Sequence, residues 1–509
     1  MRNLSKSKLM AYRQCPKRLW LEVHQPELKE DSADTQARFQ VGHQVGDIAR
    51  RIYDPEGKGT LIDVQTEGFA GAFARTTKLM ADSQWPVFEA GFQANGALAF
   101  ADVMLPELDG GQPVWRMIEV KSSASVKDYH HDDIAVQAFV ALSAGVKLKS
   151  VAVAHIDSSW IYPGNEDYRG LLVENDLTAE AFARTEEVKG WINEAQSIVA
   201  QPTAPEIAVG DQCSSPYECG FCDYCYRGIP QPKQAEYPIQ WLRLRCSKRE
   251  QLAEDVDDMR NVPVGLLNEK QLMIKEHTLA NTVFFDAAGA AADLAPYGFP
   301  AYFLDFETIQ FVVPIWKGTR PYQIIAFQFS LHTLTEDGRL EHTAFLDLSG
   351  NDPSESLAKA MITACGDHGP VFVYNAGFEG TRISQLAERF PELAKSLLDI
   401  NARLVDLCPI ARSRYYHPSQ QGSWSLKAVF PAIAPELSYD NLDGVQDGGM
   451  AMEAYGEAIH SDTSAERKSE IEKQLLTYCQ LDSFATVRLW QYFSGRSDLT
   501  LQQVQRSAK

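Results

Sequence analysis

Two groups of acidic residues in this sequence have the spacing of metal-dependent hydrolytic sites. In the first group, Glu119 and Lys121 are two residues apart in a strand-like run (RMIEVKSS), and Asp102 lies in the preceding run (ALAFADVML). Side chains two apart on a strand emerge on the same face, so Glu119 and Lys121 are expected side by side, with Val120 turned towards the core. An Asp and a Glu can bind a divalent cation, and a neighbouring Lys can orient or deprotonate a water molecule. This chemistry cleaves phosphodiester bonds.

The second group lies in the C-terminal half of the chain. Asp305 and Glu307 are two apart in the run AYFLDFET, which puts both carboxylates on one face of a strand with Phe306 turned inward. Tyr478 and Asp482 are four apart in a segment with helical periodicity and therefore share a helix face. With an acid from the segment between them, these side chains could hold two Mg²⁺ or Mn²⁺ ions, one activating water and the other stabilising the leaving oxygen.

Strand-like and helix-like segments alternate along the chain and predict an α/β fold in two domains. The 509 residues exceed the roughly 250 to 300 that one hydrophobic core usually organises. We predict a first domain over 1–232, a helical linker or insert over 233–296 and a second domain over 297–509. The first boundary falls in a Pro-punctuated stretch, RGIPQPKQAEYPIQW.

The first group belongs to a longer ordered pattern in the first domain. Its members are His43 in a helix-like segment, Asp102, Glu119, Lys121 and then Gln137 on a following helix. This set resembles the PD-(D/E)XK nucleases of the RecB type, including the CRISPR-associated members, and implies a restriction-endonuclease-like core. The resemblance implies that all but His43 are catalytic. It also implies that His43, Asp102 and Glu119 are metal ligands, and an imidazole ligand would favour Mn²⁺. Glu89, at the head of the first strand, is a supporting acid.

Nine cysteines, four of them within thirteen residues, indicate metal or iron–sulfur ligation more than disulfides. Iron–sulfur nucleases of the RecB type resemble this chain in having one cysteine near the N-terminus and three just after the nuclease core. The resemblance implies a 4Fe-4S cluster, with a structural role, that joins the two ends of the domain. Its ligands would be Cys15, Cys213, Cys219 and Cys225. A fifth candidate, Cys222, leaves open a zinc site built on Cys219, Cys222 and Cys225.

The second group resembles the DnaQ-like exonucleases of the DEDD type, in the subgroup in which a tyrosine orients the water. The resemblance spans roughly residues 300–495 and implies an RNase H-like fold. It implies that Asp305, Glu307 and Tyr478 are catalytic. It also implies four metal ligands, which are Asp305, Glu307, Asp482 and an acid from the segment between Glu307 and Asp482. At that position the family usually carries Asp, whereas this chain carries Glu379, which has a longer side chain.

The composition predicts a folded, acidic and cytoplasmic protein. Hydrophobic residues make up 45% and charged residues 23% of the chain, which excludes a disordered or coiled-coil protein. We find no apolar run of roughly 18 residues and no signal-peptide pattern, so no membrane association is expected. The net charge of −20 argues against a diffuse positive surface for nucleic acid but not against a local groove.

These motifs predict a metal-dependent deoxyribonuclease or exonuclease that acts on DNA, with single-stranded ends as the expected substrate, in repair or defence. The combination of an iron–sulfur RecB-type nuclease domain with a DnaQ-like domain resembles a bacterial family of unknown function. Two alternatives stay open. The protein could be an RNA exonuclease, since DEDD chemistry does not distinguish sugars. It could also be a nucleic-acid-binding scaffold with a degenerate second site, as Glu379 suggests.

Overall fold

The computed structural model describes residues 2–227, 235–253, 255–437, 439, 442–496 and 500–504. The chain is a mixed α/β protein, which confirms the predicted class. It divides into two compact units. The first comprises Met1–Pro230 and Phe311–Tyr322, and the second comprises Gln231–Gln310 and Gln323–Lys509. The predicted boundary between residues 232 and 233 lies outside the described residues.

The first unit is built on one seven-stranded mixed sheet. Its strands are β1 (Leu4–Ser5), β2 (Thr60–Leu61), β3 (Val87–Ala94), β4 (Ala97–Asp109), β5 (Gln112–Lys121), β6 (Leu148–Ile156) and β7 (Leu172–Asp176). They are ordered β2-β3-β4-β5-β6-β7, and β1 pairs in parallel with the start of β4. Strands β3, β4 and β5 are antiparallel neighbours, whereas β6 runs parallel to β5.

One helix of the first unit covers the part of the sheet that carries the predicted site residue Glu119. The helices are α1 (Lys6–Gln14), α2 (Pro16–His24), α3 (Ala33–Tyr53), α4 (Val64–Asp82), α5 (Asp128–Ser143), α6 (Thr178–Ala183), α7 (Thr185–Val199) and α8 (Cys222–Tyr226). Helix α5 is buried along most of its length and packs on β3, β4 and β6. Trp115 and Met117 of β5 share a core cluster with Ile134 and Phe139 of α5. By strand alternation, Glu119 therefore lies on the face of β5 that α5 covers.

The second unit is built on a six-stranded sheet with the order β13-β12-β9-β10-β11-β15 and a separate two-stranded pair, β14-β8. Its strands are β8 (Phe284–Phe285), β9 (Ala301–Gln310), β10 (Ile324–Leu334), β11 (Arg339–Leu346), β12 (Val371–Val373), β13 (Leu404–Asp406), β14 (Tyr415–Tyr416) and β15 (Gln502–Val504). Strands β9, β10 and β11 are antiparallel, and β12 is parallel to both β9 and β13. The sheet therefore places β9 at its centre.

Helices lie on both faces of this sheet. They are α9 (Cys246–Arg249), α10 (Glu269–Ala280), α11 (Ala287–Leu294), α12 (Ser354–Cys365), α13 (Ala376–Arg389), α14 (Ala394–Asn401), α15 (Leu407–Arg414), α16 (Leu426–Ile433), α17 (Gly448–Ile459) and α18 (Ala465–Phe493). Tyr302, Leu304 and Phe306 of β9 form a core cluster with α12, α13 and α14. The alternate side chains of β9 face α18, which packs on β9 and β10. In the described part of the chain, every helix is too short or too polar to cross a membrane.

The segment predicted as a helical linker or insert, 233–296, contributes α9, α10, β8 and α11, and it belongs to the second unit. This segment packs tightly against the rest of the second unit. Strand β8 pairs with β14, and Thr278 Oγ1 lies 2.6 Å from the Tyr416 hydroxyl. Gly422 has a φ of +73°, and a Cβ there would lie 1.8 Å from the carbonyl oxygen of Trp241. A side chain at Gly422 would therefore push this segment away from the loop that leads into α16.

Candidate functional site

Four residues predicted for the first domain meet where α5 covers β5. We call Asp102, Glu119, Lys121 and Gln137 the first acidic site. Lys121 Nζ donates to Glu119 Oε1 at 2.6 Å, and Gln137 Nε2 donates to Glu119 Oε2. Asp102 Oδ2, on the neighbouring strand, accepts a hydrogen bond from the Val120 backbone N–H at 2.6 Å. Strand alternation and the antiparallel β4–β5 pairing thus bring together side chains that are up to 35 residues apart.

Lys6 and Asp133 complete this site, and sequence reasoning missed both. Lys6 Nζ donates to Glu119 Oε1 at 2.7 Å and lies 3.1 Å from Asp133 Oδ1, while Asp133 Oδ2 accepts from Lys121. Asp133 stands four residues before Gln137 on α5, so helix spacing could have revealed it. Lys6 carries no local signal, because the pairing of β1 with β4 puts it in place.

The charges of Glu119, Lys121 and Lys6 in the first acidic site compensate one another. Burial alone would raise the pKa of Glu119, but the charges of Lys121 and Lys6 lower it below its usual value. Burial alone would lower the pKa of Lys121, but Asp133 and Glu119 raise it well above its usual value. Glu119 and Lys121 are therefore both ionised near neutral pH.

Two further predicted residues border the site. Glu89 stands opposite Asp102 in the antiparallel register of β3 and β4, and its φ of +54° is unusual within a strand. Burial and the charge of Glu119 raise the pKa of Glu89, and burial and Glu119 likewise raise that of Asp102. His43 is exposed on α3, and its charge acts on Glu89 to lower the pKa. His43 as a metal ligand stays a prediction.

The predicted residues of the second domain also meet. We call Asp305, Glu307, Tyr478 and Asp482 the second acidic site. One carboxylate oxygen of Asp305, one of Glu307 and the Sγ of Cys479 all lie within 4.8 Å of one another. The hydroxyl of Tyr478 is hydrogen-bonded to Asp482. The register between β9 and β10 shifts opposite Glu307, and such a bulge commonly redirects a side chain beside a site.

The carboxylates of the second acidic site repel one another. Burial and the charges of Asp482 and Glu307 raise the pKa of Asp305 well above its usual value. Burial and Asp482 do the same to Glu307, and burial raises the pKa of Asp482. Lys427 offsets part of this effect at Glu307 and Asp482. When Asp305, Glu307 and Asp482 are ionised, the positive charge around them therefore does not balance their negative charge.

Glu379, the predicted acid of the second motif, lies in the first turn of α13 and is 4% exposed. Burial raises its pKa to about 8, and its charge in turn raises the pKa of Asp305. Its Oε2 is buried and has no hydrogen-bond partner among the described residues. The nearby Asp406 accepts hydrogen bonds from the backbone N–H groups of Asn375, Ala376 and Cys408. Both carboxylate oxygens of Asp406 therefore accept hydrogen bonds, whereas Oε2 of Glu379 accepts none among the described residues.

Cys479 and Tyr439 contact residues of the second acidic site, and sequence reasoning predicted neither contact. The Cys479 thiol donates to Asp305 Oδ2 at 3.8 Å, and burial and Asp305 raise its pKa, so the thiol keeps its proton. Its position three residues before Asp482 on α18 could have indicated a shared helix face. The Tyr439 hydroxyl donates to Asp482 Oδ1, and no motif marks this tyrosine.

All four predicted cluster ligands line one small cavity in the first unit, together with the fifth candidate. Its cysteines are Cys15, Cys213, Cys219, Cys222 and Cys225. Burial raises the pKa values of Cys219 and Cys225, and the charges of Arg18 and Lys17 respectively act in the opposite direction. Gln14 Nε2 donates to the carbonyl oxygens of residues 212 and 217, both at 2.7 Å, which ties α1 to the cysteine loop.

A segment that lies mostly in the second unit matches a known sequence family. Residues 302–425 match the family model described as a domain of unknown function, DUF2779. The match includes Asp305, Glu307 and Glu379 and ends before Tyr478 and Asp482. No curated protein matches the chain. The similarity therefore covers the strand-borne acids of the second acidic site and brings no activity with it.

Proposed function

We propose that this protein is a metal-dependent nuclease that hydrolyses phosphodiester bonds of DNA, with single-stranded ends as its substrate, in DNA repair or defence. The observation that carries this proposal is the group of Asp305, half-buried, and Glu307 and Asp482, both buried, whose pKa values are all raised. Oxygen donors gathered without matching positive charge suit Mg²⁺ or Mn²⁺. The same acids lie on the strand and the helix that the DEDD resemblance implies.

The donor set fits the ions that this proposal needs. Asp305 and Glu307, which each have a carboxylate oxygen within 4.8 Å of the other, would hold them together with Asp482, and the unpartnered Oε2 of Glu379 is available as a further oxygen ligand. Bound Mg²⁺ or Mn²⁺ activates water and stabilises the leaving oxygen. The Tyr478 hydroxyl fixes the orientation of Asp482 through their hydrogen bond. On this basis we assign the second unit an RNase H-like fold of the DnaQ type.

For the first unit we propose a restriction-endonuclease-like nuclease core in which Asp102 and Glu119 bind an ion. The raised pKa of Lys121 favours its charged ammonium form, which can orient water and stabilise negative charge on the phosphate group. Gln137 Oε1 is buried without a partner among the described residues and can accept a hydrogen bond from water. The ion would have to compete with Lys6 and Lys121 for Glu119 Oε1.

We further propose that the cysteine cavity holds a 4Fe-4S cluster with a structural role. A 4Fe-4S cluster takes four thiolate ligands, and all four predicted ligands line this cavity. Anaerobic purification should give a brown protein, and a colourless protein with stoichiometric zinc would overturn this assignment.

The decisive test is cleavage of end-labelled single-stranded DNA, double-stranded DNA and RNA with Mg²⁺ or Mn²⁺. Wild type is compared with Lys121→Ala, Asp305→Ala and the double variant. We expect each single variant to lose one activity, by at least about 100-fold, and the double variant to lose both. RNA cleavage alone would replace DNA as the substrate. If cluster-loaded wild-type protein cuts none of the three substrates, the nuclease proposal fails in favour of a binding scaffold.

A further inference from the structure

Four cationic side chains share a cavity with the second acidic site. The cavity is lined by Asp305, Tyr478 and Asp482 and also by exposed lysine and arginine residues. These cations are Arg243, Lys270, Arg412 and Lys427. Arg243 and Lys270 come from the segment predicted as a linker, so that segment forms part of the cavity wall.

Three of these cations, Arg243, Lys270 and Arg412, are not paired with an acid in the described part of the chain, and we call them the basic wall. Acids outnumber bases by 68 to 48 in this protein, and many of its other lysines and arginines form ion pairs. Lys270 and Arg412 line the same cavity, and burial and the charge of Arg412 lower the pKa of Lys270. Like charges gathered without an acid favour an anionic ligand.

The position of Lys270 is fixed by an aromatic ring. Lys270 Nζ lies 3.8 Å from the centroid of the Trp424 ring. Trp424 is itself held, since its Nε1 donates to the Tyr415 carbonyl oxygen at 2.8 Å, and it is 7% exposed. A cation–π contact of this kind holds an ammonium group without neutralising it. It also covers the ring, so that Trp424 is not available to stack on a base.

We propose that the basic wall binds the phosphodiester backbone of a single-stranded polynucleotide and directs it to the second acidic site. This inference rests on the proposed function for the position of the reacting bond. Because the wall offers cations, which contact phosphate groups, the binding should depend on phosphate groups and not on base sequence. DNA and RNA share this chemistry, and the experiment below tests each.

The test uses the full-length protein with Lys270→Gln and Arg412→Gln combined. In a Lys121→Met background, which leaves the second site as the active one, KM for single-stranded DNA or RNA should rise about tenfold, while kcat stays within about twofold. In a Lys121→Met, Asp305→Asn background, binding of a labelled oligonucleotide should lose about 1.4 from the slope of log K against log[salt], about 0.7 for each lost phosphate contact. Comparing the DNA and RNA substrates shows whether the basic wall binds DNA, RNA or both.

The matched control removes two exposed lysines away from the cavity, Lys78→Gln with Lys473→Gln, and so changes the net charge equally. The control should leave KM and the salt slope unchanged. Equal losses in the control and the wall variant, or no loss in the wall variant while wild type cleaves, would overturn the basic wall and leave the nuclease proposal intact. Wall-dependent binding without any cleavage would instead support the wall and contradict the nuclease proposal.

Discussion

The two acidic sites differ in how far nearby positive charge balances their carboxylates. In the first, Glu119 Oε1 accepts hydrogen bonds from both Lys6 and Lys121, and the pKa of Glu119 is lowered. In the second, Asp305 and Glu307 lie close to another carboxylate, and their pKa values are raised. The first site thus supplies cations to Glu119 from within the protein, whereas the second site has a deficit of positive charge. The two sites should therefore differ in metal-free stability, in pH dependence and in affinity for ions.

The largest expected difference is in the sign of a stability change. Glu119→Gln removes a buried carboxylate that contacts Lys6 and Lys121 and leaves these two lysines to share Asp133, and we expect the free energy of unfolding to fall by roughly 3 kcal/mol. Asp305→Asn removes one of several mutually repelling acids, and we expect it to rise by about 1 kcal/mol at pH values where the acids are ionised. Both changes are measured by calorimetric unfolding of the cluster-loaded protein at alkaline pH without added divalent ions.

Two controls sharpen this comparison. Glu472→Gln changes an exposed acid on α18 and should leave the free energy of unfolding unchanged. Added Mn²⁺ should stabilise the wild-type protein more than Asp305→Asn, because an ion that binds the folded protein shifts the unfolding equilibrium. A stability change of the same sign in Glu119→Gln and Asp305→Asn would show that the two sites do not differ in charge compensation.

The second prediction concerns Glu379. Its pKa of about 8 in the folded protein exceeds the usual 4.5, so between these values the folded protein retains a proton that the unfolded chain has lost. The free energy of unfolding should then fall as pH rises through this window, by up to about 1.4 kcal/mol per pH unit from this one group, and level off above it. Glu379→Gln should remove this part of the slope in metal-free protein. An unchanged slope would mean that Glu379 ionises normally.

Local periodicity was sufficient to predict the parts of each site that share one element. The run AYFLDFET forms the first eight residues of β9, and Tyr478 and Asp482 both lie on α18. Period two on a strand and four-residue spacing on a helix are properties of the backbone itself, so they hold in any fold that keeps the element. The α/β class follows from the same patterns.

Long-range packing decided what sequence reasoning missed. Lys6 reaches Glu119 because Leu4 and Ser5 pair with Ala97 and Leu98, a register set by tertiary contacts more than 90 residues along the chain. In the same way, the predicted linker became a cavity wall because it packs on the loop at residue 422. No local pattern marks such pairings, since each depends on the surface that another element presents.

Lys6 gives the third prediction, which tests whether the lysines of the first acidic site compete with metal ions. Lys6→Met keeps the aliphatic part of the side chain and removes the ammonium group from Glu119 Oε1. An ion approaching that oxygen would then meet one cation fewer. In an Asp305→Asn background, which weakens the second site, we expect Mn²⁺ to bind about tenfold more tightly, a difference of about 1.4 kcal/mol. Calorimetric titration measures this affinity.

Lys8→Met is the matched control, because Lys8 lies two residues further along α1 and its Nζ donates to the Glu22 carbonyl oxygen instead. It should leave the Mn²⁺ affinity unchanged. Weaker or equal Mn²⁺ binding in Lys6→Met would mean that Lys6 does not compete with the ion and that its contact with Asp133 serves another role. Tighter binding would show that the first unit holds its own cation where the second requires one from solution, and that the difference between the two sites begins with a residue on α1.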